Sequence, residues 1–483
     1  WWDEGDYLNI ARLWAFGSPA WDINPLRPLL LPFIFSFLMK LGSTEIILRL
    51  IPFLMSILAV ILTYYIGKDL YNREAGLIAA FMLSFFWSFL FFSYRMLVDV
   101  PVAALWLLAL FLFIRGYEHK NKIMLWFSIP VVVLAFLMKY TGALLGFILV
   151  AYLLITNHLK PLKDKNLWKS FVIAVLVAIP FIYYEIKKFS SPLAFYTAGI
   201  GGRAPSPRSM WQTFIDYVNT TLPHVHYAFL ILFVIGLVII LFEIVIGFDI
   251  LLKGEDKKLK SNLLVFLTFI VPFFYIISIG YGSYIEERYL FIMYPSMFII
   301  SAAGLLSIFH YIKKYNKAIA IAVMVIFLSF GFYENITHAD AIIKDKITSF
   351  QQVQQAGYWI KEHSEPSDKI MSLHTQAEMQ YSSERETRGY PGTNPEEFIK
   401  ELREIRPKYL VSNVFANIDE SQYWKITFPY ANPNIFKPEI GYGPFIDKDQ
   451  KIPILTVFSI NPQIYDDQTS IGQPVLLQPQ ETS

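Results

Sequence analysis

Four short stretches of this chain set acids beside cations or leave a cation at the edge of an apolar run. Asp3-Glu4-Gly5-Asp6-Tyr7 stands near its start, and Arg95 and Asp99 share the segment 93–101. Lys139 follows a long apolar run, and Glu286-Glu287-Arg288-Tyr289 precedes another. Carboxylates in such settings can take protons or hold hydroxyls, and a lysine or arginine nearby can hold an anion. Simpler roles compete at each position. Lys139 and Arg288 can anchor helix ends by snorkelling to a membrane surface. Arg95 and Asp99 can be an internal structural ion pair. His224 and His226 stand two apart, a poor spacing for joint metal ligation from one helix.

The surroundings give these residues weight. Residues 43 to 334 are almost entirely apolar runs of about 16–24 residues, long enough to cross a bilayer as helices. The chain is 55% hydrophobic and 17% charged, displaced toward the membrane class from the about 45–50% and about 25% of soluble domains. Ionisable groups beside such spans are costly and tend to be functional or paired. The net charge of +2 hides a split, because charge is sparse through residue 334 and returns afterwards. No basic tract points to nucleic acid, so none is expected as a partner. With no cysteine in the chain, disulfides, thiolate metal sites and cysteine nucleophiles are excluded.

The pattern predicts a polytopic α-helical membrane protein with a C-terminal soluble α/β domain. About ten spans are expected, near 45–66, 74–93, 99–116, 123–138, 141–156, 168–185, 226–248, 262–280, 289–310 and 317–335. The chain opens without Met or a signal peptide, which reads as an internal start, with a first transmembrane helix expected before Trp1. Residues 28–41 are apolar but short and carry Pro28 and Pro32, which suits a helix lying on the membrane face. The loops 67–73, 117–122, 157–167, 249–261 and 311–316 collect Lys68, Lys120, Lys163, Lys257, Lys313 and others. The positive-inside rule places them in the cytoplasm. The four stretches of interest, the loop 186–224 and the soluble domain then face outward, so the expected location is the cell membrane with an extracytoplasmic active face. Residues 1–338 read as the membrane domain, with 1–42 as its first outer loop, 339–462 as the α/β domain and 463–483 as a flexible tail. Within the α/β part, Val353 and Ile360 suit one helix, and Asn394 caps another with Pro395 at its first position. Strands are expected at 369–373, 409–415 and 454–460. Asn219-Thr220-Thr221 and Asn335-Ile336-Thr337 are outward sites for N-glycosylation if the host modifies such sequences.

The run Trp2-Asp3-Glu4-Gly5-Asp6-Tyr7, then Arg27-Pro28-Leu29-Leu30-Leu31-Pro32, then Leu48-Arg49-Leu50-Ile51-Pro52 resembles the opening of GT-C glycosyltransferases. The likeness is to the dolichyl-phosphate-mannose protein mannosyltransferase and aminoarabinose transferase-like group. Tyr94-Arg95-Met96-Leu97-Val98-Asp99, Met138-Lys139-Tyr140-Thr141-Gly142 and Glu287-Arg288-Tyr289-Leu290 continue it in the same order. Trp1-Trp2-Asp3-Glu4-Gly5 also resembles the Trp-Trp-Asp-Tyr-Gly signature of oligosaccharyltransferases. That signature follows the membrane helices, whereas this run precedes them, so the likeness is coincidental.

The resemblance implies a GT-C-like bundle that takes a sugar from a polyprenyl-phosphate donor and passes it to a protein, lipid or glycan acceptor beside the membrane lipids. It implies Asp3 as general base, with Glu4 assisting. The phosphate leaving group needs cations rather than a second acid, a demand that Arg288, Lys139 and Arg95 suit. Asp99 would orient Arg95, bind a sugar hydroxyl or hold a divalent ion. Glu287 and Tyr7 are further substrate-binding candidates, although Tyr7 also suits an aromatic belt. No local cluster makes a complete metal site, so no cofactor is assigned beyond a possible divalent cation. A single displacement would invert the anomeric centre. The loop 186–224, with Gly199 to Gly202 and Pro205-Ser206-Pro207, suits an acceptor-side gate. A polytopic transporter is one rival, but it would carry charged or broken segments near the midplane. A non-catalytic membrane scaffold is another, and it leaves the acids and cations unexplained.

Overall fold

The computed structural model describes residues 2–17, 23, 26–191, 194, 197, 209–254, 256–279, 287–390, 392–415, 423–447 and 452–465. Its contacts divide the chain into two compact units. One comprises 24–31 and 44–344, the other 1–23, 32–43 and 345–483.

The first unit is a bundle of apolar helices. It holds α3 (Glu45–Leu70), α4 (Arg73–Phe85), α5 (Trp87–Ser93), α6 (Asp99–Phe113), α7 (Lys122–Met138), α8 (Leu144–Asn157) and α9 (Lys165–Phe189). After these come α10 (Met210–His224), α11 (Tyr227–Ile246), α12 (Phe248–Lys253), α13 (Lys257–Ile279), α14 (Tyr294–Lys313) and α15 (Lys317–Lys346). Among the described residues, every segment expected as a span is mainly helical. Among the described residues, eight helical stretches are long and apolar enough to cross a membrane, or nine when α4 and α5, bent by 62°, are taken as one span. The remaining helix, α7, has 17 residues, the lower end of the about 17–25 that suffice. The outer surface is oily: Phe147, Val245 and Ile246 are 70%, 72% and 69% exposed. Residues of that kind facing outward along whole helices mark a surface solvated by lipid. The protein is a multi-pass membrane protein.

The bend between α4 and α5 has a local cause. Phe86 leaves the helical region with ψ at 119°, and the Trp87 N–H donates to the Asn335 side chain at 3.1 Å. Asn335 also donates to the Gly331 carbonyl and is fully buried. The expectation that Asn335 is a glycosylation site is therefore wrong, because its amide is committed to the bundle interior.

The second unit holds α1 (Trp2–Phe16), α2 (Leu30–Lys40, in part) and the C-terminal α/β domain. That domain has α16 (Gln351–Glu362), β1 (Lys369–Ser372), α17 (Gln376–Ser383), β2 (Glu386–Arg388) and α18 (Pro395–Ile405). It continues with β3 (Tyr409–Asn413), α19 (Trp424–Ala431), β4 (Phe436–Asp447) and β5 (Ile452–Ile460). The sheet order is β2-β1-β3-β5-β4, with β1 parallel to β2 and β3, and β5 antiparallel to β3 and β4. Strand alternation gives it two cores. Ile370, Val411 and Val457 pack with Val353 and Ile360 of α16. Met371, Leu410 and Phe458 pack with Phe398 and Leu402 of α18 and Phe428 of α19.

Two differences from the sequence reading stand out. Residues 1–23 group with the α/β domain, whereas the sequence placed 1–42 with the spans; the reason is that α1 packs on α17. Within the loop 186–224, residues 210–224 form α10, whose Trp211, Phe214, Ile215 and Val218 recur at helical spacing. Gly199 to Gly202 and Pro205 to Pro207 lie outside the described residues, as does the tail beyond residue 465.

Candidate active site

Asp99 is the first residue of α6, where a carboxylate faces the positive end of the helix dipole. It is 2% exposed. A carboxylate so deep must be matched by charge or it would be neutral, and two cations match it. Lys139 donates to Asp99 Oδ1 at 2.6 Å, and Arg288 Nη1 lies 3.8 Å from Oδ2. Tyr289 completes the group, with Lys139 Nζ 4.8 Å and the Arg288 guanidinium 5.7 Å from its ring centre. The Lys139 and Arg288 side chains are 17% and 11% exposed. Two cations thus share one buried carboxylate among apolar helices.

Local structure explains how each group arrives there. Lys139 ends α7 in an extended conformation, and the short 3₁₀ turn Tyr140–Ala143 then reverses the chain into α8. The turn needs Gly142, because a Cβ there would lie 2.3 Å from the Ala135 carbonyl. Arg288 belongs to the 3₁₀ turn Glu287–Leu290 that precedes α14, and Pro295 sits in the first turn of that helix. The start of α6, the end of α7 and the approach to α14 thus meet at one end of the bundle.

The other candidates are placed as follows. Glu287 accepts from the Tyr294 hydroxyl at 3.3 Å. Burial pushes its carboxyl up to about 8, against hydrogen bonds from Ser88 and Tyr294. Glu286 lies outside the described residues. Arg95 has its guanidinium 4.9 Å from the Phe91 ring centre. The ion partners of Asp99 are Lys139 and Arg288, so the pairing with Arg95 suggested by chain proximity is replaced. Among the described residues, no group of three or more histidines, cysteines, aspartates or glutamates is arranged to hold a metal ion. A divalent ion on Asp99 would be a third cation on one carboxylate, which fits poorly.

In the second unit, Asp3 and Glu4 occupy the first turn of α1. Asp3 is half-buried, while Glu4, Asp6 and Tyr7 are buried. At 3% exposure the Tyr7 ring is no open stacking platform. The sequence reading missed Glu378 of α17. Burial pushes it up to about 7, and the Asp6 and Glu4 carboxylates add to the rise. Nothing in the residues around 378 could have announced this, since Glu4 and Asp6 are remote in sequence.

Comparison with known proteins supplies the context. Residues 26–184 match the dolichyl-phosphate-mannose-protein mannosyltransferase family. No curated protein matches significantly in sequence. Among solved structures, ArnT from Cupriavidus metallidurans bound to undecaprenyl phosphate is similar at a TM-score of 0.66 and 13% identity, over 96% of this chain and 95% of that one. The Archaeoglobus fulgidus oligosaccharyltransferase AglB, in complex with an inhibitory peptide and a dolichol-phosphate, gives 0.61 and 14%, over 88% of this chain and 67% of that one. For AglB tethered to an acceptor peptide the covered share of that enzyme is 66%, so the chain spans about two thirds of its length. In fold this chain is similar to ArnT and AglB, and its membrane segment 26–184 resembles the dolichyl-phosphate-mannose-protein mannosyltransferase family.

Proposed function

We propose that this chain is an integral-membrane glycosyltransferase that moves a sugar, a mannose-like hexose or a relative of it, from a polyprenyl-phosphate carrier to an acceptor on the extracytoplasmic side. One observation carries the proposal: the buried Asp99 held by both Lys139 and Arg288 beside Tyr289. Cations gathered at one end of an apolar bundle suit a phosphate that arrives on a lipid. The lipid phosphates bound by ArnT and AglB are of this class.

In the proposed reaction the acceptor hydroxyl oxygen attacks the anomeric carbon of the sugar. The bond from that carbon to the phosphate oxygen breaks, and polyprenyl phosphate leaves with the bonding pair. A carboxylate takes the hydroxyl proton, and we assign that role to Asp3, with Glu4 assisting in acceptor placement. Lys139 and Arg288 stabilise the charge growing on the phosphate, and Arg95 is a further candidate for this task. Asp99 orients the two cations. Glu287, protonated through most of the neutral range, is suited to donate a hydrogen bond to substrate. One displacement inverts the anomeric centre.

The test is the lipid itself. Mass spectrometry of the purified protein should find a co-purifying polyprenyl phosphate or its glycosylated form, and Asp3→Asn should keep fold and lipid while abolishing transfer. Substrate flux across proteoliposomes without sugar transfer would replace this reading with a transporter.

A further inference from the structure

Helix α1 carries the proposed base, and a helix in a protein draws most of its stability from packing rather than from propensity. Its orientation must come from what it packs against, and the contacts identify α17. Gly5, Asn9 and Arg12 fall at i, i+4 and i+7, on one stripe of the helix. A Cβ at Gly5 would lie 2.7 Å from the Ala377 carbonyl carbon and 2.9 Å from the Glu378 nitrogen. The Asn9 amide donates to the Ala377 carbonyl at 2.8 Å. Arg12 donates to the Tyr381 carbonyl at 2.7 Å, lies 4.3 Å from the Tyr381 ring centre and is 3.6 Å from Glu384.

Each contact constrains a different freedom. The backbone approach at Gly5 sets the distance between the helices. The amide and guanidinium contacts set how far α1 is rolled and slid along α17. Asp3 is two residues from Gly5, about 200° round the helix, so the docked stripe turns Asp3 away from α17. Glycine is a poor interior helix former, and its presence one residue after the acid pair follows from the need for close approach.

We propose that α17 is the seat that fixes the roll and height of the acid-bearing turn of α1, with Gly5, Asn9 and Arg12 as positioning residues for Asp3. The α/β domain is then part of the catalytic apparatus through its grip on this helix. The inference rests on the reading of Asp3 as general base.

The test uses the full chain in lipid nanodiscs, with polyprenyl-phosphate mannose as donor probe. It compares Gly5→Ala, Arg12→Ala, Arg12→Lys and Asp3→Asn for kcat, donor KM and thermal unfolding midpoint. Misplacement of a reacting group by about 1 Å can cost about a hundredfold in rate. Gly5→Ala and Arg12→Ala should therefore lower kcat by about tenfold to a hundredfold. Donor KM should stay within about twofold, the midpoint should hold in Arg12→Ala, and Arg12→Lys should recover part of the rate. Alanine is the better helix former, so a loss in Gly5→Ala cannot be blamed on a weaker helix. Unchanged kcat in both alanine variants, beside an inactive Asp3→Asn, overturns the positioning role alone. So does a kcat loss that only follows a collapsed midpoint and shows no lysine rescue. Full turnover in Asp3→Asn instead overturns the base assignment on which the inference stands.

Discussion

Lys139 shows how far single residues can be judged from sequence. Its type and place beside an apolar helix made it a candidate, but an interfacial anchor would look the same. The structure decides between them by giving it a buried partner 40 residues away, Asp99. Chain proximity had offered Arg95 to Asp99 instead, because an i, i+4 pair is the contact visible in one dimension. Removing one member of a buried ion pair costs about 3–5 kcal/mol, mainly through the charge left behind. Lys139→Met should destabilise the protein by less than that, because Arg288 still faces Asp99, and should abolish transfer. Adding Asp99→Asn should lower stability further, because it takes a buried partner from Arg288, and should restore none of the turnover. Thermal unfolding and a donor assay on the two variants separate these effects; recovery of turnover in the double variant would make Lys139 merely structural.

At the level of elements, legibility followed the strength of local signals. The membrane helices were visible because each apolar run is complete in itself, and α18 because its cap is written into neighbouring residues. Asn394 accepts from the Glu397 N–H at 2.9 Å, and the Glu397 carboxylate accepts from the Thr393 N–H at 2.8 Å. Asn394→Ala should cost about 1 kcal/mol in domain stability and leave turnover unchanged, as read by unfolding and the same assay. Four elements of the α/β domain escaped notice. Helix α17, Gln-Ala-Glu-Met-Gln-Tyr-Ser-Ser, has no apolar stripe of its own, and β2 has three residues. Helix α19 contains Pro429. Strand β4 runs through Pro438, Gly441, Gly443 and Pro444. It tolerates them as an edge strand with irregular register against β5. These segments become regular only because neighbours supply the missing packing and hydrogen bonds.

The molecule as a whole combines a lipid-facing bundle with a water-facing α/β domain, and pH probes the second. Glu378 titrates ordinarily near 4.5 and is pushed up to about 7 by burial, then by Asp6 and Glu4. The folded chain therefore binds more protons here than the unfolded chain between those values. Stability falls as pH rises through that window and levels off above it. The unfolding midpoint should decline between about pH 5 and pH 7, and Glu378→Gln should flatten the decline. An unaltered slope in that variant would show that other groups set the dependence.

The amino-acid sequence by itself determined the solvent, the helical class, the alternation of charged loops and the identity of most candidate residues. Each of these is carried by local composition or by spacing along the chain. Tertiary structure alone decided that Asp99 belongs to Lys139 and Arg288, that Asn335 is an interior hydrogen-bonding group, and that α1 rests on α17. Those facts depend on groups tens to hundreds of residues apart meeting at a cost in desolvation that only the folded packing can offset.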